Sequence, residues 1–316
     1  MIKKTHDMNN NNYIFIDFPI QNYLYGTNMK EIYIRKSLSI PLRFLRKLPL
    51  FSHFISNIKE RKNWAEECKG YKNIVLFDTY AGYADYCKEI EQVVSIKTRL
   101  ILYLLNPAFF SEDFKKLSSR WEVWTFAEED AQKFGFKYGG TFYNPLLKEH
   151  IEETTDEHTP QNDILFVGTD KGRKDFLMEL KQKLCSQGIK CDFRIVDNFK
   201  SLYNNEYSRE VSYFKLCYLV KNSRTLLDVV QAKQFGLTIR FMEALLFKKK
   251  IVTTNQSITW NKDFKDNPYV YVLSKDNINE LHTFINKAFV SYPLELMEKY
   301  SFHTWLTRLD KKEELK

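Results

Sequence analysis

Short apolar runs alternate with amphipathic stretches along most of the chain. In the first half, strands are predicted at residues 13–19, 73–78, 99–107 and 122–126, with a helix at 85–93. The second half repeats this rhythm, with strands at 163–168, 191–197, 223–230, 249–255 and 269–273 and helices at 174–188, 236–247, 276–290 and 294–313. Continuous apolar strands that alternate with helices are typical of parallel sheets covered on both faces. The pattern therefore predicts an α/β protein.

A polar segment separates the two halves. Residues 148–163 contain almost no apolar side chains, as is typical of a domain boundary. We therefore predict one domain over residues 1–150, a linker over residues 151–162 and a second domain over residues 163–316. Two similar α/β domains suggest a cleft between them, with ligands at the carboxyl ends of the strands.

Composition narrows the class of protein. The 316 residues are 44% hydrophobic and 28% charged, which is typical of a globular chain and excludes a disordered or fibrous one. No run of 18 apolar residues occurs, so no transmembrane helix is predicted, and the N-terminus lacks the apolar core of a secretory signal. The five cysteines match no zinc or CxxC spacing, which favours reduced thiols. We expect a cytoplasmic protein.

Positive charge is concentrated in one segment. Residues 30–62 contain nine Lys or Arg and two Glu, so they carry +7 of the chain's net +8. Within residues 36–51, four leucines share one side of a helical wheel, and Lys36, Arg43, Arg46 and Lys47 share the other. The alternatives are a solvated surface helix, contact with an anionic membrane surface or lipid-linked acceptor, and nucleic-acid binding. No nucleic-acid motif accompanies the segment, so we expect no nucleic-acid partner.

The first candidate anion site is the strand-to-helix turn VGTDKGRKDF, residues 167–176. The strand ends at Gly168, the helix begins near Lys174, and Lys171 and Arg173 add positive charge. Backbone N–H groups at a helix start favour an anion. The spacing is neither that of a P-loop nor GxGxxG, and a turn with solvated lysines is the alternative interpretation.

The second candidate lies in residues 226–255, where Gly236 follows a strand and opens a helix. The amides of Leu237 and Thr238 would point out of the helix start, which suits a diphosphate. Arg240 and Glu243 are three residues apart and share one helix face. We place them on the polar side, since apolar side chains cover the other. An ordinary salt bridge on a surface helix is the alternative.

Three segments, in this order along the chain, resemble GT-B glycosyltransferases from bacterial O-antigen, capsule and lipopolysaccharide gene clusters. They are VWTFAEEDAQKFGFKYGGTFYNP, DILFVGTDKGRKDFLMEL and QFGLTIRFMEALLFKKKIVTTN. Ala127 stands where the family usually has Asp. The resemblance covers most of residues 71–316. It implies the GT-B fold, with two Rossmann-like domains facing a central cleft and C-terminal helices packing back toward the N-terminal domain.

The resemblance also implies a reaction, the transfer of a sugar from a nucleotide-sugar donor to a surface-glycan acceptor that we expect to be lipid-linked. The donor-binding residues that it implies are Gly168, Lys171, Arg173, Gly236, Leu237, Thr238, Arg240 and Glu243. Glu243 would accept hydrogen bonds from the ribose, with Arg240 orienting it, and Arg173 would neutralise phosphate. Fixed cations and amides can replace a metal at the leaving group. Since no DxD pair ends a strand, we expect no metal and no cofactor.

The catalytic base is expected in the first domain. Asp78 ends a strand before the TYAGY loop, so its carboxylate could reach an acceptor hydroxyl, and Asp17 is the second choice. For each of them, a loop or helix cap is the alternative. Two further functions remain open: a GT-B-like transfer of another activated group such as glycerol phosphate, and a non-catalytic basic protein that binds membranes or nucleic acid. A cytoplasmic location includes peripheral attachment to the inner face of the membrane.

Changing Arg43, Arg46 and Lys47 to Gln should release the protein from anionic liposomes. Each basic residue near such a surface contributes about 1 kcal/mol, which salt weakens. Cosedimentation at low and physiological salt, with both proteins confirmed folded, measures the effect. A parent protein that stays unbound even at low salt would reduce the segment to a surface helix.

Overall fold

The computed structural model describes residues 12–34, 61–80, 82–153, 160–231 and 235–311. The chain divides into two compact units. The first contains the described residues up to Phe126 together with Asp130–Tyr138, and the second contains Ala127–Glu129 and the described residues from Gly139 onward. The basic segment, with Arg43, Arg46 and Lys47, lies outside the described residues. In the described ranges, no helix has the length and apolar character needed to cross a membrane.

The first unit is built on a parallel sheet of six strands in the order β2-β1-β3-β4-β5-β6. The strands are β1 Tyr13–Ile16, β2 Lys30–Ile32, β3 Asn73–Phe77, β4 Arg99–Leu104, β5 Trp121–Thr125 and β6 Lys137–Tyr138. Helix α1 covers Tyr83–Val93 and helix α2 covers Glu128–Phe134. Successive side chains of β3 are buried although they point to opposite faces, because both faces of the sheet are covered. This explains why the strand is a continuous apolar run.

The second unit contains a parallel sheet of five strands in the order β11-β10-β9-β7-β8. The strands are β7 Asn162–Thr169, β8 Cys191–Val196, β9 Ser223–Asp228, β10 Lys250–Thr253 and β11 Val270–Val272. The helices are α3 Pro145–Glu153, α4 Lys174–Ser186, α5 Tyr213–Lys221, α6 Ile239–Phe247, α7 Leu281–Asn286, α8 Leu294–Lys299 and α9 Phe302–Asp310. The predicted α/β class, with one parallel sheet in each half, is confirmed.

Helix α3 occupies part of the segment predicted to be a linker. Leu147 and Ile151 lie four residues apart on its inner side and are 0% and 3% exposed in the core of the second unit. The predicted boundary at residue 150 therefore falls inside a helix, and Asn162 already belongs to β7. The two compact units meet between Tyr138 and Gly139. The sequence pattern did not predict this helix, because charged residues on its outer side outnumber its two buried positions.

Several helix bounds also differ from the sequence pattern. Helix α5 was not predicted; it begins after Ser212, whose hydroxyl accepts a hydrogen bond from the Lys215 N–H at 3.3 Å. The single helix predicted at 294–313 is two helices, because Ser301 caps the start of α9 by accepting from the Thr304 N–H. Helix α6 begins at Ile239, so the glycine turn before it is longer than predicted.

A buried lysine connects β10 to the end of helix α7. The side chain of Lys250 is 2% exposed, and its ammonium donates hydrogen bonds to three carbonyls at the C-terminus of α7. The last carbonyls of a helix lack partners within the helix and carry partial negative charge. The adjacent Lys249 donates to the Lys221 carbonyl at the end of α5, at 2.7 Å. Lys250 thus fastens α7 to β10, and Lys249, the residue before this strand, fastens the end of α5.

Replacing Lys250 with Met should lower the free energy of unfolding by about 2–3 kcal/mol, because buried carbonyls at the end of α7 lose their donor. Urea denaturation measures the change. Lys248→Met is the matched control, since Lys248 is exposed and the same substitution there should alter stability by less than about 0.5 kcal/mol. Equal losses in the two variants would contradict the capping role.

Candidate functional site

In each sheet, successive strands are added first toward one edge and then toward the opposite edge, so the strand order has one reversal point. The reversal lies between β1 and β3 in the first unit and between β7 and β9 in the second. Ligands of open parallel sheets bind outside the carboxyl ends of the strands at such a reversal. Asp17 follows β1 and Asp78 follows β3, while residues 170–173 follow β7 and Asp228 ends β9. The two carboxylates proposed as the catalytic base therefore lie at the reversal point of the first unit, and the loop of residues 170–173 lies at that of the second.

At the reversal point of the second unit, Arg240 and Glu243 of helix α6 form a buried ion pair. The side chain of Glu243 is 1% exposed and that of Arg240 is 17% exposed. Arg240 Nη1 donates to Glu243 Oε2, and Nη2 donates to the carbonyl of Val167 on β7 at 3.0 Å. Although a polar side was expected from the sequence, the helix has no separate polar side at Glu243, because residues 241–247 are buried all around the helix. The pair therefore fixes the helix to the sheet.

One oxygen of this carboxylate is incompletely satisfied. Glu243 Oε1 has no hydrogen-bond partner among the described residues. Burial raises the pKa of Glu243, and the charge of Arg240 and the nearby Tyr213 hydroxyl oppose this rise. A buried acceptor without a full partner is uncommon in native proteins. At 1% exposure, however, Glu243 is covered by the protein itself.

Arg173 connects the two loops that flank the reversal point. Its Nη1 donates to the carbonyl of Val229, which follows β9, and its Nε and Nη2 donate to two carbonyls of its own loop. Gly168 leaves room for this side chain. A Cβ atom there would lie 3.1 Å from the Phe166 ring and 3.4 Å from Arg173 Nη2. Arg173 is thus mainly a brace between loops, and its predicted contact with phosphate would use only its remaining N–H groups.

The lysines of the same loop have different surroundings. Lys174 forms an ion pair with Glu206, whereas Lys171 is exposed and makes no ion pair with the described residues. Desolvation lowers the pKa of Lys171, and the positive charge of Arg173 lowers it further. The carboxylates of Asp228 and Asp170 oppose the lowering of the Arg173 pKa, whereas only desolvation and Arg173 shift the pKa of Lys171. Of the predicted cations in this loop, Lys171 is therefore the one best placed to meet a ligand.

The turn before helix α6 presents a row of backbone donors. Gly236 has a φ of 78°, in the left-handed region that suits glycine. The N–H groups of residues 237–240 have no acceptor among the described residues. Asn255, which follows β10, donates through Nδ2 to the Gly236 carbonyl at 2.8 Å. The predicted donor amides of Leu237 and Thr238 thus belong to a turn that is held from a neighbouring strand.

Sequence reasoning did not assign Asp228 or Asn255 to the site. Asp228 is 5% exposed, and its Oδ2 accepts a hydrogen bond from the Thr253 hydroxyl at 2.8 Å. Burial raises the pKa of Asp228. Both residues are polar and lie at the carboxyl ends of predicted strands, so this position was the signal that could have identified them.

In the first unit, Asp78 links the ends of β3 and β4. Its Oδ1 accepts from the Leu105 N–H at 2.7 Å, and its Oδ2 accepts from the backbone and side-chain N–H groups of Asn106 at 3.2 and 3.3 Å. Burial raises the pKa of Asp78 to about 6, although these hydrogen bonds oppose the rise. The carboxylate therefore acts as the loop cap that was the alternative interpretation. Its role as a base stays a prediction.

Asp17 is less accessible than Asp78. It is 2% exposed, has a φ of 57°, and its Oδ1 accepts from the Ile34 N–H at 2.9 Å. The Thr79 hydroxyl donates to the Asp17 carbonyl across the reversal point. An acceptor hydroxyl would have to displace these contacts, so the geometry favours a structural role. Within the described ranges, no group of three or more His, Cys, Asp or Glu side chains is arranged to hold a metal ion.

Solved structures with distant similarity to this chain include TarM and a DNA-modifying enzyme. The structure of TarM is similar over 76% of this chain and 55% of its own, with 13% identity and a TM-score of 0.45. The DNA-modifying enzyme beta-glucosyltransferase was solved in the presence and absence of its substrate uridine diphosphoglucose. It is similar over 94% of this chain and 96% of its own, with 10% identity and a TM-score of 0.46. The chain thus spans 55% of the length of TarM. No protein-family model and no curated protein matches the sequence.

Glu243→Ala should lower the free energy of unfolding by about 3–5 kcal/mol, because it leaves the buried Arg240 charge unpaired. The double variant Arg240→Met, Glu243→Leu should recover most of this loss, since it removes both charges together. Urea denaturation of the three proteins measures the differences.

The matched control is the exposed pair of Asp85 and Lys88 on α1, which has the same spacing. Asp85→Ala should cause only the small change typical of exposed ion pairs. If Glu243→Ala cost no more than Asp85→Ala, the pair would not fix the helix.

Proposed function

We propose that the protein is a GT-B-type glycosyltransferase that moves a sugar from a nucleotide-sugar donor to a glycan acceptor without a metal. The observation that carries this proposal is the reversal point of the second sheet. There, Lys171 lies in the loop after β7 without an ion-pair partner among the described residues. The amides of residues 237–240, which have no acceptor in the same ranges, lie in the turn before helix α6 and in its first two residues. Cations and amides at the carboxyl edge of a parallel sheet suit a diphosphate.

A diphosphate needs both charge and directed hydrogen bonds. Lys171 would supply the charge, and the amides of Leu237 and Thr238 would supply the bonds, as the motif resemblance implies. When the bond between the sugar and the diphosphate breaks, negative charge grows on the leaving nucleoside diphosphate. Hydrogen-bond donors that are already in place stabilise this charge without reorganisation of the protein. For this reason we propose that no metal is required.

The resemblance implies a ribose contact for Glu243, but its surroundings indicate a structural role first. Because the side chain is 1% exposed and paired with Arg240, we assign it first to holding helix α6. A direct contact between Oε1 and a ribose hydroxyl stays a prediction. The lack of a hydrogen-bond partner for this atom among the described residues supports it.

The first unit would bind the acceptor. A pKa of about 6 keeps the Asp78 carboxylate ionised at neutral pH and close to the value that suits a general base. Three N–H groups already bond to this carboxylate, which can accept about four hydrogen bonds. Asp78 could therefore take the proton of an acceptor hydroxyl through a remaining lone pair. The lipid-linked acceptor and the bacterial surface-glycan context are proposed from the basic segment and the motif resemblance.

Lys171→Met should weaken the binding of nucleoside diphosphates about tenfold, because a charge-assisted contact contributes about 1.5–3 kcal/mol. Lys174→Met should change it less than about twofold, since Glu206 already neutralises that ammonium. Calorimetric titration with UDP, GDP and CDP in excess EDTA measures both effects. Equal effects of the two substitutions would contradict the assignment of Lys171. Binding that appears only after Mg²⁺ is added would contradict metal independence.

Turnover and binding assays with activated donors separate the alternative functions. Release of UDP, GDP or CMP from a nucleotide sugar supports glycosyl transfer. Binding of an activated glycerol phosphate in place of nucleotide sugars supports the second kind of transferase. A protein that binds none of these ligands would be a non-catalytic binding protein. Asp78→Asn should abolish turnover while leaving donor affinity unchanged, and full turnover in this variant would exclude it as the base.

A further inference from the structure

A buried asparagine holds the turn that precedes helix α6. Asn255 is 2% exposed, and its Nδ2 donates to the Gly236 carbonyl at 2.8 Å. Its Oδ1 accepts from the Ser257 N–H at 3.1 Å and from the Ser257 hydroxyl at 2.7 Å. One side of the amide faces an acceptor and the other faces donors. The orientation of the side chain is therefore determined by its partners.

The strand end around Asn255 is itself braced on β9. The Thr253 hydroxyl accepts from the Asn255 N–H at 3.0 Å and donates to Asp228 at 2.8 Å. The Thr254 hydroxyl accepts from the Val230 N–H at 3.0 Å. These contacts tie the end of β10 to the strand beside the reversal point. Asn255 is thus held in place by the sheet, and its side chain in turn holds the glycine turn through the hydrogen bond to Gly236.

This hydrogen bond determines where the next amide points. In a trans peptide, the carbonyl and the following N–H lie on opposite sides. With the Gly236 carbonyl on Asn255, the Leu237 N–H must point away from Asn255, and it has no acceptor among the described residues. Glycine populates several backbone conformations at little cost, so the peptide would adopt other orientations without this bond.

We propose that Asn255 is a positioning residue for the diphosphate of the donor. It holds the Gly236–Leu237 peptide in the one orientation that presents the Leu237 N–H to a phosphate oxygen. The inference rests on the proposed function, since it assumes that a nucleoside diphosphate binds at this turn. Asn255 itself does not touch the ligand. Its effect is to keep the binding-competent turn fully populated, and affinity falls in proportion when that population falls.

Two substitutions test the inference. Asn255→Asp keeps the shape and the Oδ1 acceptor but removes the Nδ2 donor, and Asn255→Ser replaces the amide with a shorter hydroxyl without adding charge. Both variants should bind nucleoside diphosphate about tenfold more weakly, as expected if about one molecule in ten keeps the competent turn. Calorimetric titration with UDP, GDP and CDP measures the affinities, and thermal melting confirms that each variant is folded.

The chain offers a matched control in Asn277. Its Nδ2 donates to the Val272 carbonyl at 2.9 Å and its Oδ1 accepts from the Ser274 N–H at 2.8 Å, beside the edge strand β11. Asn277→Asp and Asn277→Ser remove the same kind of bond away from the reversal point. They should lower the melting temperature to a similar extent and leave diphosphate affinity unchanged.

The outcomes distinguish the inference from the function on which it rests. If the parent protein binds no nucleoside diphosphate, the proposed function fails. If the parent binds but both Asn255 variants bind equally well, the positioning role is wrong and the function stands. Loss of affinity in Asn255→Asp alone would indicate charge repulsion and overturn the inference, as would equal losses in the Asn277 variants.

Discussion

Helix α6 carries an arginine and a glutamate into the interior of the second unit. Each charge would be costly alone, and the two compensate each other only while they stay paired. Arg240 also bonds to the Val167 carbonyl, so the pair fixes the start of the helix against β7. The turn at Gly236 and the amides that follow it depend on this placement. The ion pair is therefore the constraint that determines the geometry of the candidate donor site.

The two reversal points use their charges differently. In the first unit, the carboxylates of Asp17 and Asp78 accept backbone N–H groups and close the ends of the strands. In the second unit, Arg173 donates to carbonyls, while Lys171 and the amides before α6 have no acceptor among the residues that the structure describes. An edge with unused donors attracts anions. This difference is the reason that we place the diphosphate in the second unit.

The candidate site was partly predictable. The amides near Gly236 and the cations of residues 171–174 were identified from strand-to-helix turns, because a glycine and a cluster of like charges are visible in the sequence. Their relative importance was not visible, since it depends on Glu206 from another segment, which neutralises Lys174. Asn255 was missed for a similar reason. Its importance comes from a carbonyl 19 residues earlier in the chain.

The sequence by itself determined the α/β class and the position of most strands, because a strand covered on both faces must be a continuous apolar run. Only the tertiary structure decided that Glu243 and Lys250 are buried, that residues 145–153 are a helix within the second unit, and that the order of the strands reverses beside Asp228. The local pattern of apolar and polar residues shows which side chains are expected to be buried. The partners of a buried charge come from distant segments, and these meet only when the sheet has formed.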